Sequence, residues 1–156
     1  MFVKKMPNNL KKEIFLKLAV VLYVITTFNF LADYFHLYYI LWWFDMPMHF
    51  LGGFWVGGMA IWFYLFNSRV NDKFADFGTA RKLVFYFAAV MAVSLAWELF
   101  EFSLDTFVVS RTNDIIDTLS DLFMDALGAT SVLAYFSYGK YRDITTKKVG
   151  QLISKN

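Results

Sequence analysis

Three short patterns in this 156-residue chain set ionisable side chains at helical spacing. Asp45-Met-Pro-Met-His49 puts an acid and an imidazole at i, i+4, and Trp97-Glu-Leu-Phe-Glu101 puts Glu98 and Glu101 at i, i+3. The stretch from Asn113 to Gly128 adds Asp114, Asp117, Asp121 and Asp125. Residues three or four apart share a helix face. Steps of four advance about 40° around the axis, so Asp117, Asp121 and Asp125 form one stripe. Each pattern lies in or beside a long apolar run, where an ionised carboxylate costs on the order of 3 kcal/mol in lipid. Three kinds of compensation are open. Some carboxyls can be protonated, because burial and like charges favour the neutral acid. A divalent cation can neutralise them, or they can form a structural polar network. Carboxylates with one or two imidazoles suit Mg²⁺, Mn²⁺, Ca²⁺, Fe²⁺ or Zn²⁺, and inward-facing carboxylate pairs are how helical bundles build metal sites.

The elements that must carry these residues are membrane helices. The chain is 58% hydrophobic and 21% aromatic, against about 45–50% apolar for a soluble domain, with a mean hydropathy of +0.46. Apolar runs predict an all-α polytopic protein, a four-helix transmembrane bundle with spans at about 14–32, 46–66, 83–104 and 117–138. A basic stretch, 1–13, precedes the 14–138 transmembrane domain, and a basic tail, 139–156, follows it. The run at 34–44 is rich in Tyr and Trp and too short to span, which suits an interfacial or re-entrant segment. Gly53-x-x-x-Gly57 permits close helix approach, and Pro47 falls in a first helical turn, where its missing N–H costs nothing. The apolar run after the basic start lacks a small-residue cleavage site, and without cysteine there is no thiolate chemistry.

Charge sets an expected orientation. With four spans, every Lys and Arg except Arg111 falls on the side of the two termini, and the positive-inside rule makes that side cytoplasmic. Most acids fall opposite: Asp33, Asp45, Glu98, Glu101, Asp105, Asp114, Asp117, Asp121 and Asp125. The inner halves, such as Leu83 to Val93, carry no ionisable group but Tyr, so no polar path crosses the chain. The expected site is a cup, closed below and open outward.

Blander roles stand beside several of these residues. Asp114 and Asn113 suit a helix N-terminus, Asp105 a solvated loop, and Asp33 and His36 an interface. Asp45 could be a first-turn acid. Asp125 is either the floor of the site or a helix–helix hydrogen-bonding residue. The Phe and Trp content reads as lipid-facing surface and aromatic belt.

The blocks Phe44-Asp-Met-Pro-Met-His-Phe50, Trp97-Glu-Leu-Phe-Glu-Phe102 and Asp114 to Ala129 resemble the signature blocks of the YjdF-like bacterial inner-membrane proteins, relatives of the VanZ-like group. The resemblance covers roughly 44–129 and implies Asp45/His49/Phe50, Glu98/Glu101 and Asp117/Thr118/Asp121 with Gly128/Ala129 as its motif residues. It departs at Met46-Pro47, where a basic residue often follows the Asp. It implies membership and fold, and no established activity.

The leading functional expectation is an integral inner-membrane enzyme with an outward, metal-dependent site, hydrolysing or transferring a group on a lipid or lipid-linked substrate. In it Glu98, Glu101, Asp117, Asp121, His49, Asp45, Asp114 and Asp125 are the candidate ligands for Mg, Mn, Ca or Zn, and His49 and Asp45 the candidate proton carriers. The alternatives are a non-enzymatic extracytoplasmic cation- or ligand-binding protein, acting as sensor, envelope-stress or resistance factor, and an oligomeric transporter. Membrane lipids are the expected partners, with no nucleic acid and with homo-oligomerisation open. No Gly-x-Ser-x-Gly, His-Glu-x-x-His or nucleotide-binding glycine pattern is present.

Overall fold

A chain this apolar must satisfy its backbone internally, and helices do so. The computed structural model describes residues 8–74, 76–104, 106–107 and 115–153. They form α1 (Asn8–Tyr34), α2 (Leu37–Ile40), α3 (Asp45–Phe66), α4 (Ser68–Lys73), α5 (Thr79–Leu104) and α6 (Ile115–Ile153). Among the described residues, three helices are long and apolar enough to cross a membrane: Asn9–Tyr34, Asp45–Phe66 and Thr79–Leu104. They contain the first three expected spans. α6 contains the fourth, 117–138, but is not among the three; its first turns carry Asp117, Asp121 and Asp125. α6 also runs unbroken through Gly139 to Ile153, so the expected tail continues the helix. Segment 34–44 holds only the single turn α2, entered through His36 in the left-handed region at φ 54°.

α3 is the hub. It contacts α1, α5 and α6, and its contact with α6 is the most extensive between any two elements. Small residues make that possible. A Cβ at Gly53 would overlap the backbone of Asp125, and one at Gly128 would overlap the Phe50 carbonyl. Larger residues would hold the two backbones apart, so the seam rests on close van der Waals approach.

The other joints are hydrogen-bonded. The Trp55 indole N–H donates to the Leu18 carbonyl (3.0 Å) and that of Trp62 to the Lys11 carbonyl (3.1 Å), tying α3 to α1. The Tyr86 hydroxyl donates to the Ala129 carbonyl (2.8 Å), tying α5 to α6. Trp55 and Trp62 therefore join helices, while Trp42, Trp43 and Trp97 are exposed as a lipid-facing belt requires. The buried apolar core is Leu18, Ala32, Val90, Ala129 and Val132. Large apolar side chains such as Leu16, Phe30, Leu99 and Phe123 lie outside, an arrangement that suits lipid and would aggregate in water.

Candidate metal centre

The crossing of α3 and α6 sets the site. His49 lies one turn before Gly53 on α3, and Asp125 lies opposite Gly53 on α6. The backbone contact brings the His49 imidazole against the Asp125 carboxylate, with Nδ1 3.3 Å from Oδ2. α5 closes the third side with Glu98 and Glu101.

His49 is 5% exposed and has five carboxylates within 4 Å. Its Nε2 edge faces Asp45 Oδ1 at 3.7 Å, Glu101 Oε2 at 3.9 Å and Asp121 Oδ2 at 3.9 Å. Its Nδ1 edge faces Asp125 and, at 3.8 Å, Glu98 Oε1. Asp45 and Glu101 form a half-buried rim, with 31% and 36% of their side chains exposed. Glu98, Asp121 and Asp125 form a buried floor.

Five carboxylates outnumber one imidazole even when the ring is charged. Among the described residues, two floor atoms, Glu98 Oε1 and Asp121 Oδ1, are buried without a hydrogen-bond partner. An orphaned buried polar atom costs about 1–3 kcal/mol, and more when charged. A cation is the economical remedy. Asp45, His49 and Glu101, and likewise His49, Glu98 and Asp121, offer ligand atoms all within 4.8 Å of one another. A tetrahedral ion with bonds of about 2.0–2.1 Å separates its ligand atoms by about 3.3 Å. The spacings at Nε2 need to close by only about 0.5 Å. The donor set therefore fits a divalent ion.

Of the expected residues, Asp45, His49, Glu98, Glu101, Asp121 and Asp125 come together. Asp117 does not: it is exposed and belongs to neither group of ligand atoms. The 40° drift per four residues explains why, since by Asp117 the stripe has turned about 80° from Asp125. Asp114 and Asp105 lie outside the described residues. Asp33 and His36 are exposed, and the Asn29 side chain accepts the Tyr38 hydroxyl hydrogen (2.5 Å).

Tyr38 is a site neighbour that the sequence patterns do not mark, whereas Thr118 and Gly128 enter there only through the family resemblance. Thr118 lies where it can hydrogen-bond Glu98. Gly128 is the counterpart of Gly53, and its signal was positional, three residues after Asp125 as Gly53 is four after His49. Tyr38, on α2, stands within electrostatic reach of Asp45 and Glu101. Burial, then the charge of Asp45, holds its phenol above the ordinary range, so it stays a hydroxyl donor near the rim.

The profile of a family described as predicted membrane protein (DUF2238) matches residues 4–142. No curated protein and no solved structure matches the chain. The match supports the membrane-protein part of the resemblance drawn from the three sequence blocks; it carries no YjdF-like or VanZ-like name.

Proposed function

Since the chain belongs to the DUF2238 family of predicted membrane proteins, we propose that it is an integral inner-membrane protein holding one divalent cation at His49. On this reading it acts on a lipid or lipid-linked substrate by hydrolysis or group transfer. The observation that carries the cation is the buried imidazole ringed by five carboxylates, two with orphaned oxygens.

The residues divide by ring edge. Asp125 receives the Nδ1 proton and holds the ring, as a carboxylate commonly does behind a ligating histidine. Nε2 is then free to ligate, with Asp45, Glu101 and Asp121 around it. Glu98 closes the Nδ1 edge. When bound, a divalent ion polarises a phosphoryl or acyl oxygen and lowers the pKa of water. The exposed rim at Asp45 and Glu101 is where a substrate group would reach the site, and Asp45 is the residue to accept a proton there. The basic-residue distribution supports a fourth span through α6, with cytoplasmic termini and an outward rim.

Metal analysis of the detergent-purified protein tests the reading. One equivalent of a divalent metal is expected, falling at least tenfold in His49→Ala and Asp121→Asn. Absence of metal, with a melting temperature indifferent to chelator, would refute the site. Loss of metal in Glu98→Gln but not Glu101→Gln would move the ion to the floor group. Metal without release of headgroup or acyl chain from any phospholipid supplied would leave the non-enzymatic cation-binding reading.

A further inference from the structure

At the far end of α3 lies a second feature, opposite in charge. From His49 to Asn67 the helix runs about 27 Å, at about 1.5 Å per residue, close to the thickness of a bilayer's hydrocarbon core. There a cavity of about 430 Å³ is lined by Lys11 from α1, Trp62 and Phe66 from α3, and Asn67, Ser68 and Arg69 beyond them. A second cavity, of about 470 Å³, shares Lys11 and Trp62 and adds Lys12 and Phe15. The two share a wall, making one groove between α1 and α3 in which basic and aromatic side chains alternate with one another, Lys11 lying over Trp62.

The groove is built by the fold. The Trp62 indole donates to the Lys11 carbonyl and fixes the first turn of α1 against α3. The Lys11 ammonium lies 5.2 Å from the centroid of the same indole, and Phe15 packs on it at 5.4 Å. Asn67 accepts from the Val70 N–H and so fixes the turn that carries Arg69. The nearby ion pair, Lys17 with Glu13 at 2.7 Å, leaves out both Lys11 and Arg69. Two cations thus bracket a cavity, and among the described residues neither has an ion-pair partner.

We propose that this groove binds the phosphate of an anionic phospholipid in the leaflet opposite the His49 cluster, with Lys11 and Arg69 on the phosphate and the lipid's first carbons along Trp62 and Phe15. Basic pockets between membrane helices are suited to such headgroups. The aromatic wall favours a lipid over free phosphate, because an inorganic ion leaves that wall uncovered. Lys12 extends the basic edge toward a second headgroup oxygen.

Native mass spectrometry of the full chain in detergent provides the test, titrating phosphatidylglycerol, phosphatidylcholine and inorganic phosphate separately. A phosphatidylglycerol adduct is expected at concentrations where phosphatidylcholine gives none, undiminished by millimolar phosphate. The Lys11→Gln/Arg69→Gln double variant should weaken it at least tenfold. Lys73→Gln, which removes an exposed charge that lines neither cavity, should leave it intact. Circular dichroism of the double variant, matching the parent, would tie the loss to the groove and not to unfolding. Equal binding of both lipids, or an adduct that survives the double variant, would overturn the proposal. Displacement of the lipid by phosphate would assign the groove to the free ion instead. The result is independent of whether the far end holds a metal.

Discussion

Asp125 and Asp121 differ in what their removal should do, though they lie one turn apart on the same helix. Asp121 faces the Nε2 edge, where the ion is proposed to sit, and Asp125 faces Nδ1. Asp125→Asn keeps an acceptor for the ring proton but loses the charge, so metal affinity should fall by about 10–100-fold, the usual effect of losing an outer-shell carboxylate. Asp121→Asn should abolish retention through purification, and both are read by metal content after dialysis against a chelator. In the metal-free protein the order of effects reverses. There Asp121→Asn relieves like-charge crowding and should raise the melting temperature, measured with EDTA present. The helical spacing of Asp45/His49 and Glu98/Glu101 made these residues legible in the sequence, because such pairs need only a helix to share a face. The capture of His49 on both ring edges was not legible, since it depends on where α6 crosses α3. Asp117 lies away from His49 for a related reason: a four-residue repeat on a 3.6-residue helix drifts out of any one face within two turns.

At the level of elements, the α3–α6 seam places the chemistry, and glycine permits the seam. Gly53→Ala puts a methyl group into the backbone of Asp125. Such overpacking costs about 1–3 kcal/mol, and the contact is with backbone, which yields less readily than a side chain. A drop in the thermal midpoint is expected, together with weakened metal binding, because separation of the helices draws Asp125 and Asp121 away from His49. Gly78→Ala is the control: nothing lies within 4 Å of its added carbon, and both readouts should hold. Gly53-x-x-x-Gly57 announced a close approach in the sequence but not its partner. Gly128 and Ala129 stand in a run of small residues, with Ala126, Thr130 and Ser131 around them, so the sequence alone does not single out which one meets α3. The tryptophans all read as lipid-facing surface and belt in the sequence, and two of them do something else. An indole serves equally as interfacial belt and as interhelix donor, and only packing assigns Trp55 and Trp62 to the second role.

Across the whole molecule, the His49 carboxylates and the basic groove of Lys11 and Arg69 lie about 27 Å apart along α3. Three helices meet the requirements for crossing a membrane, so the passage of α6 decides the topology. The chain contains no cysteine, which makes single-cysteine labelling direct. If α6 spans, Ser68→Cys and Asn156→Cys should react with impermeant maleimide from the same side of intact cells or inverted vesicles, and Phe107→Cys from the other. Reaction of Ser68→Cys and Asn156→Cys from opposite sides would leave three spans. The apolar runs of α1, α3 and α5 were readable because lipid demands length and hydropathy directly. α6 was harder to read because its site residues dilute the apolar signal that marks a span.

The continuity of α6 gives the molecule a mechanical property. From Gly128, where it bears on α3, the helix extends about 10 Å to Asp121 and about 35 Å to Gln151, at about 1.5 Å per residue. Held at that bearing, it is a lever with arms of about one to three. Drawing Asp121 toward His49 Nε2 by the roughly 0.5 Å that an ion's bond lengths require would swing the far end by close to 2 Å if the rod stays straight. Spin labels at Gln151→Cys and Lys73→Cys would report that swing as a change in separation on adding EDTA. If α6 spans, the unbroken run to Ile153 would carry a change at the acidic end to the opposite face.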